Sequence, residues 1–216
     1  MALLALFDVD GTLFLTDDPL ASEALLATLR ELYPVDPPGD AVERIDHAGQ
    51  TAKRIARLVL RSEGLDDSHI DASLDECCTR FGARYVELLN ARQPGNWQAA
   101  PGAAEALARL ADAGIRLALL TGNPKPMARA RMTRLGLERF FLPGQGAFGC
   151  DGEERARLIE LARRRAGDWP EELTVEIGDT PRDARTARDA GIRSIVVGAG
   201  RSLSEAAEQL LSWNDG

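Results

Sequence analysis

Three short segments of this 216-residue chain place acids and hydroxyls where apolar runs end. In the first, Asp8-Val-Asp10-Gly11-Thr12, two carboxylates two residues apart project to the same side of an extended chain, and Gly11 lets the backbone turn away sharply. The second, Thr121-Gly122-Asn123, offers a hydroxyl and turn amides suited to a phosphate oxygen. The third, Gly178-Asp179-Thr-Pro-Arg-Asp183, adds two acids four residues apart. Four carboxylates gathered in one place raise one another's pKa unless a cation neutralises them. A hard divalent ion such as Mg2+, which takes carboxylate oxygens, waters and substrate phosphate, is the natural cation. The chemistry this predicts is metal-assisted phosphoryl transfer with a carboxylate nucleophile.

Elements must carry these segments to one edge. Leu3 to Val9 is a continuous apolar run ended by Asp-Gly, the pattern of a parallel strand buried on both faces. Residues 115–120, 173–177 and 192–197 repeat it, while 103–113, 127–135, 153–166 and 182–190 read as helices, each closed by a glycine. Strand and helix alternating in this way predict a doubly wound parallel α/β sheet with right-handed crossovers, in which ligands gather at the carboxyl ends of the strands. One interval breaks the alternation: from about Pro19 to Asn90, helical periodicity runs over 22–32, 42–61 and 73–89, interrupted at 34–39 and 64–68. It reads as a helical insertion after the first strand, with the Gly- and Pro-rich residues 92–102 leading back.

Hydrophobic residues at 44% and charged residues at 28% describe an ordinary globular chain. Lys+Arg 26 against Asp+Glu 34, net −8, supply no positive field to gather nucleic acid or anionic lipid. The apolar N-terminal run meets Asp8 long before it could cross a bilayer, so no membrane partner is expected. Cys77, Cys78 and Cys150 are odd in number and lack metal-ligand spacing, and adjacent cysteines rarely bridge. They read as structural thiols in a reducing, cytoplasmic setting.

In their order along the chain, Asp8-Val-Asp-Gly-Thr12, Leu119-Leu-Thr-Gly-Asn123 and Ile177-Gly-Asp-Thr-Pro-Arg-Asp183 resemble motifs of the haloacid dehalogenase-like hydrolase superfamily, in its phosphoglycolate-phosphatase-like branch. The resemblance implies a Rossmann-like core over 1–15 and 92–216 and an all-helical cap of the C1 type over 16–91. It implies a phosphatase acting on a small phosphorylated metabolite. Asp8 would be the nucleophile and Asp10 the general acid, then the general base. Mg2+ would be held by Asp8, Asp179 and the carbonyl of Asp10, with Asp183 in support. Thr121 and the amides of Gly122 and Asn123 would bind the phosphoryl oxygens. The superfamily usually adds a lysine in a further motif, and this chain has none after Lys125. Gly149-Cys-Asp-Gly-Glu-Glu-Arg155 resembles a variant in which an arginine takes that place. Arg155 is then the cation that grips both Asp8 and phosphate, Arg157 being the alternative register and a solvated helix face the ordinary role for either.

In the insertion, His47-Ala-Gly49-Gln50-Thr51-Ala-Lys53 resembles the specificity loop of such caps, which makes Gly49, Gln50 and Thr51 candidate substrate contacts. His47 reads more simply as a surface helix residue. Lys53 is either a helix-surface lysine or, as in phosphonoacetaldehyde hydrolases, a Schiff-base former. Asp183 also suits a helix N-terminus on charge alone. Trp97, Trp169 and Trp213 read as packing residues. A phosphomutase and a non-catalytic binding module remain as alternatives on the same fold, and monomer or homodimer stays open.

Overall fold

The structure, a computed structural model, describes residues 2–198 and 200–214. After strand β1 (Leu4–Phe7) come four helices, α1 (Pro19–Leu32), α2 (Ala52–Ser62), α3 (Asp67–Asp71) and α4 (Leu74–Arg92). Then α5 (Ala103–Asp112), β2 (Arg116–Leu119), α6 (Lys125–Arg134), α7 (Arg155–Arg165), β3 (Thr174–Gly178), α8 (Pro181–Asp189), β4 (Arg193–Val196) and α9 (Leu203–Asn214) follow. The strands form one parallel sheet in the order β2-β1-β3-β4, with Phe7 opposite both Leu119 and Ile177. All three of those residues meet their loops at the same edge of the sheet.

Both faces of the sheet are covered, which is why its strands are rich in apolar residues and β1 is an unbroken apolar run. Ala5, Phe7, Leu117, Leu119, Val175 and Ile177 pack with residues of α5, α6 and α9. Leu4, Leu6, Ala118 and Leu120 pack with residues of α7 and α8. A third cluster joins α1 to α4 among themselves and meets α6 at Met127. Trp97 stacks edge-on against Phe14 and Trp213 packs on the same cluster, while Trp169 lies against the cluster of α7 and α8, so all three pack. Among the described residues, no helix is long and apolar enough to cross a membrane.

The helix expected over 42–61 begins only at Ala52. Gly49 takes a left-handed conformation (φ +67°), and the Thr51 hydroxyl caps the helix by accepting from the Arg54 N–H at 3.2 Å. His47 therefore stands in a turn and not on a helix. Asp66 caps α3 in a stretch that reads as a break, and α9 lies where the sequence suggested no element. The expectation of three reduced cysteines is overturned: Cys78 on α4 and Cys150 in the loop before α7 form a disulfide across 72 residues. Adjacency bars a bridge only between Cys77 and Cys78, and sequence spacing cannot see that a distant loop packs against α4. The cysteines therefore no longer argue for a reducing compartment. Cys77 remains a buried thiol, its pKa pushed up to about 12 by burial.

Candidate active site

Asp8 leaves the carboxyl end of β1 buried, its Oδ1 accepting from the N–H of Val9 at 2.7 Å. Three residues after Asp8, Gly11 has φ +71°, and a Cβ there would stand 2.1 Å from Oδ2 of Asp179. Only glycine lets the acid after β3 close onto the acid after β1. Asp183 lies in the first turn of α8. Its Oδ2 accepts from the N–H and hydroxyl of Thr180 at 2.9 and 2.8 Å, while its Oδ1 faces Arg155. One oxygen caps the helix and the other joins the acid cluster, so both readings of Asp183 fit the same side chain. One carboxylate oxygen from each of Asp8, Asp179 and Asp183 lies within 4.8 Å of the others, a hard-oxygen set that fits a divalent cation.

Of the two candidate arginines, Arg155 reaches this cluster and Arg157 is exposed. The guanidinium of Arg155 is buried, with Nη2 3.2 Å from Asp8 Oδ2 and 3.0 Å from both Asp183 Oδ1 and Glu176 Oε1. Its Nε donates to the same Glu176 oxygen at 3.1 Å. Glu176, fully buried in β3, was not singled out from the sequence, although a lone acid inside an apolar strand is a signal in itself: a buried carboxylate demands a cation. Burial pushes the pKa of Asp8 up to about 7 against the pull of Arg155, with Asp183 and Asp10 adding to the rise. Burial likewise pushes Glu176 up to about 8, again opposed by Arg155. Asp179 is raised by burial and by Asp183.

Asp10 is exposed, yet both its oxygens are engaged: Oδ1 accepts from Arg131 Nη1 at 2.5 Å and Oδ2 from Asn123 Nδ2 at 2.6 Å. Arg131 was also not singled out, and nothing distinguishes it in the sequence from the other arginines of α6. The Thr121 hydroxyl is buried and accepts from the Asn123 N–H at 3.2 Å, so that amide, expected to face phosphate, turns inward here.

A cavity of about 540 Å3 opens above the acids, with Asp8, Asp10, Gly122, Asn123, Arg155 and Asp179 on its floor. His47, Gly49 and Gln50 line its other side. Gly122 touches that loop so closely that a Cβ would fall 2.0 Å from the Gln50 carbonyl oxygen. Thr51 is not on the wall: its hydroxyl caps α2 and donates to the Glu153 carbonyl at 3.0 Å. Lys53 is not on the wall either and pairs with Asp75 at 2.5 Å, which removes it from Schiff-base chemistry in this cavity.

The model of the family described as haloacid dehalogenase-like hydrolase matches residues 3–191. A phosphoglycolate phosphatase of Mesorhizobium japonicum is 31% identical over 201 residues, covering 91% of this chain and 83% of that protein. One from Rhodospirillum rubrum is 34% identical over 215 residues, covering 91% of this chain and 80% of that protein. The crystal structure of CbbY from Rhodobacter sphaeroides in complex with phosphate superposes with a TM-score of 0.63 at 24% identity, covering 95% of this chain and 96% of that one.

Proposed function

This chain belongs to the haloacid dehalogenase-like hydrolases, and we propose that it hydrolyses the phosphate monoester of a small metabolite through an aspartyl-phosphate on Asp8. Asp8, Asp179 and Asp183, with the carbonyl of Asp10, would hold Mg2+. The ion, when bound, neutralises these acids and polarises a phosphoryl oxygen. Asp8 attacks phosphorus. Arg155 holds the Asp8 carboxylate in place and carries the positive charge that the family usually draws from a lysine. Thr121, Gly122 and Asn123 form the turn that receives the phosphoryl oxygens. Asp10 protonates the departing alcohol and then takes a proton from the attacking water. Residues 16–91 act as a cap that excludes bulk water over a core made of 1–15 and 92–216, with Gly49 and Gln50 facing the substrate. The relatives named phosphoglycolate phosphatase support a small phosphorylated acid or alcohol as substrate. A cytoplasmic protein, monomer or homodimer, is the accompanying reading.

The observation that carries this proposal is the convergence on Asp8 of one buried cation, Arg155, and two acids, Asp179 and Asp183, from segments far apart in the chain. Steady-state hydrolysis of a generic phosphate monoester tests it, comparing the native protein with Asp8→Asn, with Mg2+ and with chelator. Turnover that requires both Asp8 and the metal is the expected result. Undiminished turnover by Asp8→Asn, or in chelator, overturns the mechanism.

A further inference from the structure

Arg131 has no assigned task in the reaction, yet the fold buries its guanidinium at 2% exposure. Nη1 donates to Asp10 Oδ1 at 2.5 Å, Nη2 to Asp18 Oδ2 at 2.9 Å and Nε to the Tyr85 hydroxyl at 3.2 Å. The guanidinium also stacks over the rings of Phe14 and Tyr85, at 4.6 and 5.4 Å from their centroids. A buried charge of this kind is seldom the cheapest way to fill space, since apolar residues of similar volume often serve stability as well or better. What it does locally is divide its fork. One side takes Asp10, next to the nucleophile; the other takes Asp18, which caps α1, and Tyr85, which comes from α4 and donates to Asp18 at 2.6 Å. Asp10 has no burial to orient it and depends on Arg131 and Asn123, both of which donate to it. A carboxylate engaged at both oxygens is held in a fixed plane.

We propose that Arg131 is a positioning residue for the second half of the reaction: it holds the Asp10 carboxylate as the proton acceptor for the attacking water, and does so only while Asp18 and Tyr85 are seated against α6. The inference rests on the reading of Asp10 as the general base. In the step concerned, the water oxygen bonds to phosphorus and Asp10 takes the water proton. The bond from phosphorus to the Asp8 oxygen breaks, its electron pair returning to the Asp8 carboxylate as inorganic phosphate leaves.

p-Nitrophenyl phosphate isolates this step, because p-nitrophenolate departs without a proton and leaves only the hydrolysis of the phospho-enzyme in need of Asp10. In Arg131→Lys and Arg131→Met, kcat falls about 10–100-fold, up to the low end of what a positioned general base supplies, as expected for a base misaligned and not removed. Their kcat/KM, which reports only the steps up to departure of p-nitrophenolate, stays within about threefold of native. Rapid mixing then shows a burst approaching about one p-nitrophenolate per site, and acid quench traps the phospho-enzyme. Tyr85→Phe, which keeps the ring and removes the hydroxyl beneath the guanidinium, gives the same split in weaker form and carries the test if Arg131→Met does not fold. Parallel losses of kcat and kcat/KM without a burst mean that Arg131 only supports packing, and overturn the inference. Asp10→Asn is the control. A burst there with none in the Arg131 variants defeats the inference alone, whereas no burst in Asp10→Asn defeats the reading of Asp10 and the inference together.

Discussion

Methionine at position 155 would keep much of the volume of the native arginine and remove its charge from among three buried acids. The guanidinium lies 3.2 Å from Asp8 and 3.0 Å from Glu176 and Asp183. Taking one partner from a buried ion pair costs about 3–5 kcal/mol, because the remaining charge has neither water nor a counter-ion. For a chain of 216 residues, each kcal/mol moves Tm by about 2–4 °C, so Arg155→Met should melt roughly 6–20 °C below native in metal-free buffer at about pH 8. Proton uptake limits the damage at lower pH. Asp8 and Glu176 already have pKa values raised to about 7 and about 8 by burial, with Arg155 as the opposing pull. A carboxyl group whose folded pKa exceeds its unfolded one takes up protons on folding, so its penalty is full above the folded pKa and fades as pH falls toward the unfolded value. Removing Arg155 lifts both folded values further, and the deficit between variant and native should therefore shrink on going from about pH 8 to about pH 5. Scanning calorimetry with chelator at the two pH values measures this. A Tm deficit equal at both, or no deficit at the higher pH, would refute the charge balance assigned to Arg155.

Two further outcomes follow from the same geometry. Mg2+ at about one hundred times its Kd should stabilise the protein by about 2.7 kcal/mol. At one fixed Mg2+ concentration that gain should be larger at about pH 8 than at about pH 6, since the metal must displace protons from Asp8 and Asp179, both raised by burial; thermal shift on native protein and Asp179→Asn reads it, the variant being expected to lose the response. Reducing the Cys78–Cys150 bond, which spans 72 residues, should remove roughly 2–4 kcal/mol, visible as a lower Tm with thiol reductant and absent in Cys78→Ser.

Strand β1 was legible because each of Leu4, Ala5, Leu6 and Phe7 is buried, leaving no polar alternation to confuse the pattern. The three acid and hydroxyl segments were legible for a related reason: a parallel sheet sends all its carboxyl ends to one edge, so chemistry placed just after each run must converge. Residues 42–51 were not legible, since helical periodicity continues through them and only the left-handed Gly49 and the Thr51 cap show where α2 begins. Glu176 was visible as an acid in an apolar strand, but its partner stands 21 residues earlier, on another element. Arg131 is one arginine among several on α6, and the groups it joins, Asp10, Asp18 and Tyr85, share no periodicity with it. The disulfide depends on α4 lying over the loop at 150, a tertiary fact that cysteine spacing does not encode.

The strand order β2-β1-β3-β4 also governs when this chain acquires its site during synthesis. β1 is made first and lies inside the sheet, yet its second neighbour, β3, begins only at Thr174. Until then one edge of a strand with every residue buried in the finished protein has no partner, and Asp8 stands without Asp179. Pairings this distant in the chain are slow to form, because loop-closure entropy is spent before the contacts repay it. The nascent protein must therefore protect an apolar edge until β3 is made, and a chain arrested before β3 carries Asp8 without Glu176, Asp179 or Asp183 to accompany it.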